Sequence, residues 1–175
     1  MADVVLHLRG PIIAGPDDIR AQAWVVDGVI TYAPPEGARD IRSIDGWVLP
    51  GYVDAHCHVG LGPQGAVSEE EAEAQASTDR DNGTLLLRDA GSAADTRWID
   101  ERDDLPKIIR AGRHIARTRR YIRGYAHEVE PDQLVARVRA EARAGDGWVK
   151  LVADWIDRDL GPEGDLRPLW TDEQL

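Results

Sequence analysis

The chain has 175 residues, 42% of them hydrophobic, with a formal net charge of −11. That is enough chain to bury a core, and the acidic balance argues against nucleic acid or an anionic membrane as partner. A single cysteine excludes an intrachain disulfide, no stretch approaches the ~18 apolar residues of a membrane span, and the first residues lack the basic and apolar blocks of a signal peptide. A cytoplasmic location is the default expectation.

Residues 1–50 read as short strands. A β-rich run covers 4–8. Residues 21–26 and 29–32 flank Asp27-Gly28, a strong type I′ hairpin signal. Residues 41–44 and 47–49 flank Asp45-Gly46, which reads as a second hairpin, with a loop at 33–37 between the two. The expectation is a small antiparallel sheet that leads into the next stretch.

That stretch is Leu49-Pro50-Gly51-Tyr52-Val53-Asp54-Ala55-His56-Cys57-His58. Side chains at i and i+2 of a strand share a face. His56 and His58 therefore project together, with Cys57 turned away. Two neutral imidazoles aimed at one point can hold a divalent metal through nitrogens at ~2.0–2.1 Å, or can simply be satisfied by hydrogen bonds at a strand end. By the same spacing Asp54 belongs to the His56 face, one layer deeper.

After His58 the texture changes. Ser68 and Glu71 form a capping box for a helix running to about Asn82-Gly83. Thr84-Leu85-Leu86-Leu87 reads as a strand buried on both faces, ending in Arg88-Asp89-Ala90-Gly91. A short helix is expected at 94–102, a third strand at 107–111, and a long Arg- and Tyr-rich loop at 113–130. Pro131 opens a helix with Leu134, Val135, Val138 and Ala142 on one face. Residues 148–152 read as a fourth strand, and Thr171 with Gln174 caps a fourth helix. Strand–helix alternation four times over implies βα units and a parallel sheet. Four units cannot close an eight-stranded barrel, so the expectation is part of a longer chain or one piece of a split enzyme, rather than a complete open sheet.

The motif Pro-Gly-x-Val-Asp-x-His-x-His, from Pro50 to His58, resembles the metal site at the end of the first barrel strand in the amidohydrolase superfamily, among members related to imidazolonepropionase and to the Xaa-Pro and Xaa-Arg dipeptidases. Arg88-Asp89-x-Gly91 is a weaker second match. The resemblance implies an α/β fold with a (β/α)8 TIM barrel, whose first four units would be residues 51–175, beside a β-sandwich of which residues 1–50 would be the N-terminal share. Lys150 resembles the lysine of the binuclear members, where it is carboxylated and bridges two metals. The chemistry is sensible: an ammonium has no lone pair to give a cation, whereas a carbamate is a hard oxygen ligand. The bland alternative is a lysine that turns its head to solvent.

The resemblance thus implies two zinc ions held by His56, His58 and Lys150, with Lys150 serving catalysis as the bridging ligand. Asp54 and Asp89 would be supporting carboxylates. A metal-activated hydroxide would hydrolyse a C–N bond of a small amide or dipeptide-like substrate. His127 and Tyr125, in the loop over the expected mouth, are substrate-binding candidates. Arg117, Arg119, Arg120 and Arg123 are either a solvated run paired with Glu128 and Glu130 or a dock for a substrate carboxylate. His7 is structural, and His114 lies where the family places no metal ligand. The remaining ligands and the catalytic aspartate have no counterpart in the chain, so a complementary C-terminal half or partner chain, in an oligomer, is expected. The alternatives are a mononuclear cyclic-amide hydrolase or deaminase, and a non-catalytic half-barrel.

Overall fold

The computed structural model describes residues 4–37, 40–164 and 166–175. The chain divides into two compact units, Met1–Pro50 and Gly51–Leu175. Among the described residues no helix is long and apolar enough to cross a membrane.

The first unit is a four-stranded sheet built from β1 (Val5–Gly15), β2 (Asp18–Val26), β3 (Val29–Thr31) and β4 (Ile41–Asp45), in the order β3-β2-β1-β4. The β2–β3 turn is the expected hairpin. Asp27 and Gly28 have φ of 50° and 77°, the pair of left-handed residues that a type I′ turn requires. The second expected hairpin does not form. β4 runs parallel to β1, and Val48 continues in the same direction as a parallel bridge to Ile12. Instead of reversing the chain, Gly46 (φ 154°) carries it on in the same register past Gly10, where a Cβ would lie 2.2 Å from the Gly46 carbonyl oxygen. The sheet is therefore mixed, not antiparallel. His7 stacks on Trp24 at 4.8 Å and bonds Gln22 at 3.1 Å, a structural role.

The second unit opens with β5 (Tyr52–Cys57), then two short pieces, β6 (Leu61–Gly62) and β7 (Gly65–Ala66), paired with each other. Ser68 accepts the Glu71 amide at 3.2 Å and caps α1 (Glu69–Asp81). Three glutamates in its first turn suit the positive end of the helix dipole. Gly83 (φ 90°) turns the chain into β8 (Thr84–Asp89), and a 3-10 turn (Arg97–Glu101) replaces the expected helix before β9 (Lys107–Arg110). The order β5-β8-β9 is all parallel. Leu87 and Ile108 bury against Ala72, Ala76 and Ile99, with Cys57 packed on them. β8 is not buried on both faces: Leu85 is exposed at its start, Arg88 is exposed on the opposite face, and Val53 and Ile109 on that face are 59% and 40% exposed.

Residues 113–130 are not a loop. They contain β10 (His114–Arg117) and β11 (Ala126–Val129), which pair in parallel. Charged residues on one side mask the buried ones in the sequence, Ile115, Ala116 and Val129. A 3-10 turn (Pro131–Gln133) leads into α2 (Leu134–Ala144). Leu134 and Val138 join the core, but Val135 is exposed and Glu141 takes an inward place in its stead. The expected fourth strand reduces to a single parallel bridge, Leu151 to Ile115. The Ile115 amide donates to the Lys150 carbonyl, and the Val152 amide to the Ile115 carbonyl, both at 2.9 Å. Two-residue strands β12 (Asp154–Trp155) and β13 (Arg167–Pro168) follow. The expected fourth helix is a turn, in which the Thr171 amide donates to Gln174 Oε1 at 3.0 Å.

A buried cation ties these pieces together. Arg110, 6% exposed, donates to Thr96 Oγ1 at 2.8 Å, to the Thr96 carbonyl at 2.7 Å and to Asp100 at 2.9 Å, and lies 3.3 Å from Asp146. Its amide also donates to Asp146 Oδ2 at 2.7 Å. Arg97 reaches the same Asp146 at 2.7 Å; against the upward push of burial, the Arg110 amide and then Arg97 hold this carboxyl below the usual range. Replacing Arg110 by alanine empties the centre of this network, and urea unfolding of Arg110→Ala should lose roughly 3 kcal/mol; a loss under about 0.5 kcal/mol would mean that the network does not hold the unit together.

Candidate functional site

Three imidazoles stand in a row at the ends of the parallel strands. The ring centroids of His56 and His58 are 5.5 Å apart with planes at 69°, and His58 and His114 are 5.2 Å apart with planes at 27°. Tyr121 and Tyr125 flank the far side of His114 at 5.5 and 6.2 Å. Lys150 is close enough for its charge to act on His114. The strands thus bring together His56 and His58, and add a histidine that the resemblance had set aside, with Lys150 in its neighbourhood.

His58 is held by its backbone surroundings. Its Nδ1 lies 2.8 Å from the Gly91 carbonyl. A carbonyl only accepts, so Nδ1 carries the proton and Nε2 is left with a lone pair. The Gly91 amide in turn donates to Asp89 Oδ1 at 2.8 Å. Asp89 thus fixes the turn whose carbonyl orients His58, an indirect support of the kind common around ligating histidines. Asp89 is 2% exposed. Burial pushes its carboxyl up to about 6, against the pull of the Gly91 amide and Arg110.

Asp54 is not on the His56 face. The pairing of β5 with β8 slips by one residue between Asp54 and Cys57, so Asp54 sits opposite Leu87 and Cys57 opposite Asp89. Both therefore lie on the helix-covered face, and His56 and His58 on the other. The strict alternation expected of the strand fails at this bulge. Asp54 still serves the site through the backbone, because its Oδ1 accepts the His56 amide at 2.9 Å. Burial, with the charges of Asp89 and Asp54, pushes the Cys57 thiol up to about 12, which rules out a thiolate nucleophile at neutral pH.

His114 is the residue the sequence reading missed. It is 1% exposed, and neither ring nitrogen has a hydrogen-bond partner among the described residues. Burial, then the neighbouring His58 and Lys150, lowers it to about 4, so the ring is neutral with one unpaired N–H. A buried unpaired donor costs about 1–3 kcal/mol. Its signal was present in the sequence, since His114 and Ala116 alternate with the apolar Ile115 as a strand requires, but the surrounding arginines read as loop.

Tyr125 stays near the site, whereas His127 turns to α2. His127 Nε2 lies 3.1 Å from Glu141 Oε1. Burial holds this imidazole below its ordinary range, with Glu141 pulling the other way. A cavity of about 440 Å³ beside it, lined by Asp89, Arg97, Arg113, His127 and Glu141, does not reach His56, His58 or Lys150. Three of the four arginines in the basic run are engaged: Arg117 with Glu130 at 3.2 Å, Arg119 with Asp159, and Arg120 with the Trp155 carbonyl at 2.8 Å. Arg88 lies 3.9 Å over the Trp148 ring.

Comparison with known proteins places this geometry. No family model matches the chain. Uncharacterized proteins of Mycobacterium tuberculosis and Mycobacterium bovis are each 57% identical over 173 residues, 98% of this chain and 45% of theirs. Among solved structures, a Xaa-Pro dipeptidase with bound methionine superposes with a TM-score of 0.66 at 21% identity, over 98% of this chain and 52% of that one. An amidohydrolase gives 0.64 at 16% identity, over 97% and 51%. A putative prolidase of Bifidobacterium longum gives 0.59 at 18%, over 87% and 42%. The fold is that of amidohydrolase-type proteins. The chain spans about half the length of the curated relatives and solved structures it matches.

Amidohydrolase-type proteins are in general divalent-metal dependent, and the residues here fit part of such a centre. His56 and His58 share a face, and His58 has its second nitrogen free. Among the described residues, however, no group of three His, Cys, Asp or Glu side chains could hold an ion.

The two buried titratable groups beside the site have opposite effects on stability in metal-free protein. His114, lowered to about 4, favours the fold when neutral, so its contribution is present above the ordinary histidine range and is lost as pH falls from ~6.5 to 4. Asp89, raised to about 6, favours the fold when protonated, so its contribution grows as pH falls from 6 towards ~4. The two nearly cancel. Urea unfolding between pH 6.5 and 4.5, in chelator, should show Asp89→Asn losing stability on acidification, by up to roughly 3 kcal/mol, and His114→Asn gaining it. Parallel profiles for both variants would contradict these assignments.

Proposed function

We propose that this chain supplies the first part of a metal-dependent amidohydrolase that hydrolyses a C–N bond of a small amide or dipeptide-like molecule. The observation that supports the reading most is the row of His56, His58 and His114, with Lys150 beside it, at the ends of parallel strands. His56 and His58 would hold a divalent ion, zinc by ligand type. Lys150, as a carbamate, would bridge it to a second one. A bound ion of this kind supplies water made acidic enough to attack at neutral pH.

The protein's own residues have separate tasks. Asp89 and Gly91 fix the His58 tautomer, and Asp54 fixes the His56 backbone. His114, a neutral ring buried beside His58 at 5.2 Å, would brace that ligand from behind. Tyr121 and Tyr125 close its far side. Tyr125 is the better substrate-contact candidate, since the His127 ring is taken up by Glu141.

A second reading, in which this polypeptide alone is a non-catalytic half-barrel, draws on two observations: the incomplete donor set among the described residues, and the open face carrying Val53 and Ile109. A complementary half covering that face would supply the remaining ligands. Native mass spectrometry separates the two readings. A complex with a complementary chain, two bound metals and a carbon dioxide adduct that disappears in Lys150→Ala fits the binuclear enzyme. One metal, no adduct and unchanged activity in Lys150→Ala would instead indicate a mononuclear hydrolase or deaminase. A lone, metal-free, unmodified chain would leave this polypeptide as a half-barrel without catalysis of its own.

A further inference from the structure

β10 and β11 are parallel neighbours, yet only residues 118–125 separate them. This segment has to run back from the end of β10 at Arg117 to the start of β11 at Ala126, the partner of His114, and it does so as a strap beside the His114 ring. Tyr121 and Tyr125 are its underside. Tyr121 is wedged edge-on against Trp155 at 4.9 Å. At the other end the strap meets the β6–β7 pair backbone to backbone: a Cβ added at Gly124 would lie 3.0 Å from the Gln64 carbonyl oxygen, and one at Gly65 would lie 3.0 Å from the Gly124 carbonyl oxygen.

The end of the strap that enters β11 is held, together with the start of β10, by one side chain from outside the site. Glu141, on α2, is 5% exposed. Its Oε2 accepts the Arg113 amide at 2.9 Å, immediately before His114. Its Oε1 meets His127 Nε2 at 3.1 Å, immediately after the strap, and Arg137 Nη1 at 3.5 Å. Arg113 completes the clasp by donating to the Gly124 and Tyr125 carbonyls at 2.8 and 3.0 Å. Room for the carboxylate is reserved by Gly112 (φ 71°), where a Cβ would lie 2.8 Å from Glu141 Oε2. A buried carboxylate is costly unless its oxygens are bonded. Here the bonds that satisfy it are the ones that pin residues 113 and 127.

We propose that Glu141 is a positioning residue for the reaction proposed above, holding the strap of residues 118–125 closed through Arg113 and His127 so that the His114 ring stays packed against His58. The inference rests on the reading of the three histidines as the working face. Glu141 touches no reacting atom and lies on the helix side of the strands. Its influence on His114 is mechanical, through one backbone bond and one strap.

The test uses the full 175-residue protein with ¹³C-labelled histidine rings and amide hydrogen exchange, comparing wild type with Glu141→Leu, Glu141→Gln and His127→Asn. Leucine keeps the volume and no acceptor; glutamine keeps the oxygen that the Arg113 amide needs. Glu141→Leu should raise exchange across residues 113–129 by roughly tenfold and shift the His114 ring resonances, while residues 69–89 keep their protection. Glu141→Gln should restore most of both, and His127→Asn should give the same pattern more weakly. A uniform rise across residues 51–175, or unmoved His114 resonances in a folded Glu141→Leu protein, overturns the proposal. If Glu141→Leu does not fold, unchanged exchange of 113–129 in His127→Asn overturns it. None of these readouts needs metal or turnover, so they stand or fall separately from the metal and adduct measurements that test the hydrolase reading.

Discussion

Gly91 sits between His58 and His114, and a side chain there would push them apart. Its φ is 117°, and a Cβ would lie 2.9 Å from His114 Nδ1 and 3.3 Å from the Gly112 carbonyl oxygen. From this one position its carbonyl fixes the His58 proton, its amide engages the buried Asp89, and its bare α-carbon lets the His114 ring close to 5.2 Å of His58. The spacing of the imidazole row therefore depends on a residue that contributes no chemistry. It also explains why Asp89 is buried at a cost to its ionisation: the carboxylate organises a turn.

The same economy recurs one strand over. The chain breaks at Ala111-Gly112-Arg113 between β9 and β10, and Gly112 leaves room for Glu141. The loop after α2 comes back to the same break, where Asp146 accepts the Arg110 amide and a Cβ at Gly145 would lie 2.6 Å from the Arg110 carbonyl oxygen. His114 is thus fixed from three directions: by Gly91, by Glu141 through Arg113, and by the Arg110–Asp146 network one turn earlier. Loops carry chemistry well when a rigid scaffold positions them. Here the scaffold is three buried charged groups, each satisfied by backbone.

What could be read from the sequence follows from which signals are local. Asp27-Gly28, the Ser68 cap and the Gly83 stop are decided by a few neighbouring residues, and they appear in the structure as expected. Asp45-Gly46 carries the same dipeptide chemistry, but the partner it meets, β1 around Gly10, lies far back in the chain and keeps the strand running on in parallel. Asp54 fails for a related reason. Period-2 alternation assigns faces only while the strand is regular, and the slip between Asp54 and Cys57 is set by pairing with β8. His114 and β10 were hidden because their partners, the Lys150–Leu151 backbone and β11, are distant, while the adjacent arginines are loudly polar. His56 and His58 were legible as a pair because their i, i+2 spacing survives the slip.

The slip also bears on charge. A divalent ion is best held where some of its charge is met by anionic ligands. His56, His58 and His114 bring no anionic ligand to their face, and burial keeps His114 from protonating. The carboxylate of Asp54 is turned by the slip to the helix side, where Asp89 also lies, and each holds an amide. Under the hydrolase reading, negative charge on the working face then has two sources: carbon dioxide captured by Lys150, or carboxylates from the part of the longer relatives that this chain does not span. The two sources are not equivalent. A carbamate forms on an uncharged amine, so an ion bound by the histidine pair favours it by disfavouring the nearby ammonium. Metal and carbamate should therefore assemble together, with each weak alone. Under that reading the protein orders its histidines in advance, and leaves the charge of the centre to be supplied at the moment of loading.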